Sequence, residues 1–210
     1  MTKKIGFLLM LIGCICIIGA GSLFFYNYNE DKQAGEESAQ RLEIVKEIIE
    51  QQQIVTEQPQ VEHSVEISQD EVSEESAEED QQSSIIINEK YIGYLEIPSL
   101  SLTLPVLENW SYTNLKFTPC RQFGSFETND LVIAGHNYNQ HLGKISKLTT
   151  SNTITFHDIN GAIATYQIAN VETISETEAE KVQNNGYDLV LYTCTVSGEN
   201  RIVVYCQKTS

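Results

Sequence analysis

Basic residues are scarce in this 210-residue chain, with 13 Lys and Arg against 29 Asp and Glu. Phosphate affinity comes from clustered Lys and Arg that release counterions, and the sequence holds no such cluster, which excludes a nucleic-acid binder. Cysteine is sparse too: five residues, of which Cys14 and Cys16 lie in an apolar run, so no small disulfide framework is implied. No internal repeat stands out, and no alternation of strands with helices suggests a parallel α/β sheet.

What is present divides the chain into three. Residues 1–29 carry only Lys3 and Lys4 as basic charges and no acid, and residues 5–26 are 22 uncharged positions rich in Ile, Leu, Phe and Gly. As a helix this run spans roughly 33 Å at about 1.5 Å per residue, enough to cross a bilayer core. Lys3 and Lys4 precede it while Glu30 and Asp31 follow, which predicts a single-pass signal anchor with the rest of the chain outside. The run is longer than the apolar core of a cleaved secretory signal. Residues 11–14 have the form of a lipoprotein cleavage motif ending at Cys14, but the apolar run continues to Phe25, so Cys14 and Cys16 are read as small apolar residues of a membrane helix.

Residues 30–84 carry 17 acidic and 3 basic side chains, a net charge of −14. Within them, residues 39–55 place Leu42, Val45, Ile48 and Ile49 at helical spacing, which suits one amphipathic helix. Residues 56–84 are rich in Glu, Gln and Ser without an aromatic residue, and are expected to form a disordered, self-repelling spacer that includes His63.

From residue 85 the composition turns to β-branched and aromatic runs separated by turn signals, the pattern of an all-β domain over 85–210. Strands are expected at 92–97, 102–106, 131–135, 153–157, 162–171, 188–194 and 201–207, with short helices near 142–148 and 111–115. Pro98 and Pro105 sit at strand ends, where the missing N–H is tolerated, and Asn160-Gly161 is a hairpin signal. Seven strands with few helices predict a closed or nearly closed barrel.

Two strand ends carry chemistry. Residues 131–137, LVIAGHN, put His136 where a buried strand stops, and residues 189–195, LVLYTCT, do the same for Cys194. Arg201 opens the final strand seven residues later. Together they supply a nucleophile, an acid/base and a fixed cation for a developing oxyanion. His141 and His157 share no metal-ligand spacing with His136 and are read as packing residues.

At this point the sequence resembles the sortase family. YIGYLEIP at 91–98 is similar to a sortase opening strand, AGHN at 134–137 to its histidine segment, and YTCT at 192–195 with RIVV at 201–204 to its cysteine-to-arginine hairpin. The resemblance implies a closed eight-stranded β-barrel, with the eighth strand near 122–126. It further implies a membrane-bound cysteine transpeptidase of the Gram-positive cell surface. Cys194 would cleave an LPxTG-like sorting signal through a thioacyl enzyme, with His136 as acid and base and Arg201 holding the oxyanion. Asn137 and Thr193 are weaker candidates for substrate contact. The implied partners are a surface protein bearing the sorting signal, a cell-wall amine as acceptor, and the membrane through residues 5–26. No cofactor and no metal are implied, and the acidic segment 172–187, with Glu172, Glu176, Glu178 and Glu180, is read as a solvated covering loop rather than a calcium site. Gly-His-Asn, one N-terminal anchor and the lack of a second apolar span look most like class B, and residues 30–90 hold no Asp-Pro-aromatic lid motif of class C. Cys120 and Cys206 depart from the family pattern and are open to pairing. Two readings compete with transpeptidation: a cysteine peptidase resolving the same acyl enzyme with water, and an inactive barrel that only binds sorting signals.

Overall fold

The computed structural model describes residues 2–57, 90–183 and 185–209. Helix α1 runs over Thr2–Glu57. Eight strands follow: β1 Tyr91–Ile97, β2 Leu102–Leu107, β3 Cys120–Phe123, β4 Leu131–Ala134, β5 Thr153–Asp158, β6 Ile163–Ser175, β7 Leu189–Cys194 and β8 Asn200–Lys208. They close into a barrel in the order β1-β2-β3-β4-β7-β8-β6-β5, which leaves no unpaired sheet edge. The expected short helices are single 3-10 turns, Asn114–Lys116 and Ile145–Lys147.

Strand patterning follows from burial. In β1 and β5 alternate side chains point inward, among them Leu95, Ile97, Ile154 and Phe156. These join Leu131, Ile133, Leu189, Leu191 and Val204 in the barrel core. β4 and β7 read instead as continuous apolar runs because both of their faces are covered. Leu131 and Ile133 face the barrel interior, Val132 packs with Val182 and Val190 outside it, and Ala134 packs under α1 with Val45 and Ile49.

The acidic stretch 30–84 divides. Its first part, to residue 57, continues α1, and residues 58–89, with His63 and nearly all of the expected spacer, lie outside the described residues. Ala34, Ser38, Leu42, Val45 and Ile49 form one buried stripe along α1, the spacing of a helix face laid on a core. Arg41, 2% exposed, is held by Glu37 one turn back and lies 4.5 Å over the Phe117 ring. Toward the N-terminus the apolar residues of α1 are exposed, and α1 is long and apolar enough to cross a membrane.

One detail departs from the sequence reading, and one hairpin agrees with it. β6 extends four residues past Val171, pairing Glu172 through Ser175 with Val203 through Asn200 of β8, so the expected covering loop shrinks to residues 176–187. The Asn160-Gly161 hairpin is a four-residue connection, with Gly161 at φ 86° and its N–H bonded to the Asp158 carbonyl.

Candidate active site

β4 and β7 are parallel neighbours, in register from Leu131 opposite Leu189 to Ala134 opposite Tyr192. Parallel strands finish on the same side, so the residues after Ala134 and the residue ending β7 emerge at one rim of the barrel. The ladder continues one step further, with the Gly135 N–H donating to the Tyr192 carbonyl at 3.0 Å. β8 returns antiparallel from that rim, and Arg201 stands opposite Cys194. Topology therefore brings His136, Cys194 and Arg201 to the same end of three adjacent strands, although 58 residues separate the first two in sequence.

Cys194 is half-buried. Beside it, the Thr193 side chain is 1% exposed and its hydroxyl donates to the Gly135 carbonyl at 2.9 Å. A buried, engaged hydroxyl suits a tie between the nucleophile strand and the histidine segment rather than contact with a substrate. Arg201 donates from Nη1 to the carbonyls of Gly198 (2.8 Å) and Asn200 (3.1 Å), and its Nη2 lies 4.0 Å from Glu176 Oε2. The turn of its own hairpin thus aims the guanidinium. Next to both, burial pushes the Tyr192 hydroxyl pKa far above its ordinary value, with Arg201 opposing.

His136 is half-buried and stacks on Tyr138, ring centroids 4.0 Å apart and ring planes nearly parallel. Its Nδ1 is buried without a hydrogen-bond partner among the described residues. Burial lowers the imidazole pKa, Glu30 works the other way, and Lys116 adds to the lowering. The neutral ring is therefore favoured at neutral pH, as a base awaiting a proton requires.

Asn137 lines a cleft of about 360 Å³ together with His136, Tyr138, Asn139, Val196 and three residues of α1: Asn27, Glu30 and Asp31. The α1 wall gave no signal in the sequence, because nothing local tells which element a helix stripe will meet. Val196, 97% exposed, is the aliphatic residue of that lining.

The other histidines and cysteines lie apart from this chemistry. His157 stacks on Tyr94 at 4.2 Å, with Nε2 3.2 Å from Glu96. His141 is fully buried against α1. Cys120 and Cys206 are both buried and are not joined in a disulfide, and burial pushes the Cys206 pKa up to about 12. In the acidic segment, Glu172 accepts from the Tyr205 hydroxyl, and Glu178 accepts from the Ser175 N–H and pairs with Lys181 at 2.8 Å. No group of three or more His, Cys, Asp or Glu among the described residues is arranged to hold a metal ion.

The family model for the sortase domain matches residues 95–209. Solved structures with a similar fold include sortase C1 of Streptococcus agalactiae (TM-score 0.51, 22% identity, covering 56% of this chain and 67% of that one). Sortase C1 of Streptococcus suis matches at TM-score 0.51 and 21% identity, over 65% and 82% of the two chains. A lid mutant of sortase A from Corynebacterium diphtheriae matches at TM-score 0.51 and 14% identity, over 59% and 72%. Comparison with curated proteins gives no match. The expected likeness to class B is not supported: these neighbours are class C enzymes and a sortase A. The Gly-His-Asn segment on which that expectation rests is three residues directly after β4, too short a stretch to decide a class. With more than half its length matched by the domain model, the chain belongs to the sortase family, whose members are cysteine transpeptidases that anchor proteins to the cell wall.

Proposed function

We propose that this chain is a membrane-anchored sortase that cleaves an LPxTG-like sorting signal and transfers the surface protein carrying it to a cell-wall amine, with Cys194, His136 and Arg201 as its catalytic residues. The observation that carries the reading is that the β4–β7 and β7–β8 pairings bring these three residues to one end of adjacent strands. The neutral His136 ring takes the proton of the Cys194 thiol, becoming the imidazolium, and the resulting thiolate attacks the carbonyl carbon of the sorting-signal Thr as the carbonyl π electrons move to oxygen. Arg201, always charged and held by its hairpin carbonyls, donates to that oxyanion. As the tetrahedral species collapses, the C–N bond breaks and the His136 imidazolium gives its proton to the departing amine, leaving a thioester on Cys194. The acceptor amine attacks the thioester, His136 takes its proton, and the thiolate departs as the new amide forms. The apolar stretch of α1 anchors the enzyme, and Lys3 and Lys4 on its N-terminal side put the barrel outside the cell.

The test is turnover of a fluorogenic sorting-signal peptide by the full chain in detergent. Cys194→Ala and His136→Ala abolish it. Arg201→Ala lowers kcat about 10²- to 10³-fold as a lost oxyanion donor, and Arg201→Lys does not restore the fork of donors. Wild-type rates in these variants would overturn the assignment.

A further inference from the structure

The first polar turns of α1 meet the segment that carries the histidine. Asp31 Oδ1 accepts from the Gln140 backbone N–H and Oδ2 from the Asn139 Nδ2, both at 3.1 Å. One turn on, the Ala34 carbonyl lies 3.3 Å from Nε2 of the fully buried His141. The backbones approach closely because Gly35 has no side chain: a Cβ there would stand 2.9 Å from Gln140 Cγ and 3.1 Å from its Cβ. Residues 139–141 are thus clamped to the helix at three consecutive positions, and the same short segment holds His136 through its stack on Tyr138. Asn27, Glu30 and Asp31 of α1 line the same cleft as His136. The Tyr26 hydroxyl donates to Glu30 Oε1 at 2.7 Å, fixing that carboxylate on the helix surface.

We infer that the turn of α1 just beyond its apolar stretch belongs to the active site: Asp31 is a positioning residue for the His136 segment, and Glu30 supplies the carboxylate that faces the imidazole across the cleft. The inference rests on His136 being the acid/base of the reaction. An imidazolium forms whenever His136 takes the proton of the acceptor amine, and a carboxylate across a partly buried cleft stabilises it. The charged and titratable groups around the ring are Glu30 and Asp31 from α1, Lys116 from the β2–β3 connection, Tyr138 and His141 from its own segment, and Cys194 and Arg201 at the rim. Of these, Glu30 favours the charged ring and Lys116 opposes it. Because Glu30 follows the apolar stretch by four residues, about 6 Å along a helix, substrate and acceptor meet at the membrane face.

The experiment uses the full chain in lipid nanodiscs. With Cys194→Ala in place and histidines isotopically labelled, the His136 ring is titrated by NMR. Glu30→Gln keeps the Tyr26 contact and removes the charge, and the His136 midpoint falls. Glu36→Gln, at an exposed position of the same helix, leaves it unchanged. An unmoved midpoint in Glu30→Gln overturns the role of Glu30, whatever the turnover result. In otherwise wild-type enzyme, Asp31→Ala lowers kcat about 10- to 100-fold, as expected for a displaced catalytic group, with KM for the peptide little changed. Asn139→Ala, which removes only the side-chain half of the clamp, gives a smaller loss. Gly35→Leu, which forces α1 off the segment without touching Asp31 or Glu30, reproduces the Asp31→Ala loss. Full turnover in both Asp31→Ala and Gly35→Leu overturns the positioning role. Failure of Cys194→Ala to stop turnover would sink the catalytic assignment itself and is read separately.

Discussion

Gly135 lies between the end of β4 and His136, and a methyl group at its Cα has nowhere to go. The added Cβ would stand 2.5 Å from Leu142 Cγ, 2.6 Å from its Cδ1 and 3.0 Å from its Cβ. Leu142 is fully buried in the barrel core with Ile145 and Leu148, so it cannot swing into solvent. Restoring ordinary contact of about 3.5 Å or more between carbons needs a shift of about 1 Å in Leu142 or in the Gly135–His136 backbone. Overpacking of this kind costs about 1–3 kcal/mol, and a 1 Å misplacement of a catalytic group can cost on the order of 10²-fold in rate. Gly135→Ala is therefore expected to lower both the denaturation midpoint and kcat. A second substitution separates this from a generic defect. Leu142→Ala alone costs about 2–5 kcal/mol as a cavity, but it opens the space the new methyl needs. The double variant should be less destabilised than the sum of the singles by more than about 0.5 kcal/mol, and should regain part of the lost turnover. Wild-type activity and stability in Gly135→Ala, or strict additivity in the double variant, would refute the packing argument.

Thr193→Val keeps the shape of the side chain and removes the 2.9 Å bond to the Gly135 carbonyl. The buried loss is worth about 1–3 kcal/mol and should appear in urea unfolding together with a fall in kcat, whereas unchanged stability would mean the tie is idle. Acidification should weaken the fold through His141, whose pKa burial pushes from 6.5 down to about 4. The unfolded chain takes up that proton first, so the contribution is complete above the unfolded pKa and is lost as pH falls from about 6.5 toward 4, on the order of 2 kcal/mol by pH 5. Melting curves at pH 7.5 and 5 should show the loss, and His141→Gln should flatten the difference. Native alkylation with iodoacetamide should modify Cys194 among the barrel thiols while buried Cys120 and Cys206 react only on unfolding.

Much of the barrel was legible because its strands are defined by local patterning. The apolar runs ending at Ala134 and Cys194 and the Pro98 stop announce themselves, and β1, β2, β4, β5 and β7 fall within a residue of expectation at each end. β3 was weakly marked and lies at Cys120–Phe123 rather than 122–126, since it is short, meets β2 at one parallel pair and is bulged against β4. The C-terminal end of β6 is not visible in the sequence because its polar residues look like loop, yet backbone pairing with β8 holds them regardless of side chain. His136, Cys194 and Arg201 were visible as residues at strand ends, but their shared rim depends on the parallel β4–β7 pairing, which no local pattern encodes. Hidden altogether was the helix wall of the cleft: Asp31 and Gln140 are 109 positions apart, and their bond is a fact of packing alone.

The central claim is tested most directly by mass spectrometry of the full chain in detergent, incubated with a panel of LPxTG-like peptides with and without triglycine. The account predicts a mass increase on Cys194 equal to the acyl part of a cleaved peptide, which disappears on addition of triglycine as the peptide–triglycine product forms. Absence of the adduct across the panel while iodoacetamide still labels Cys194, or product formation by Cys194→Ala, would contradict it.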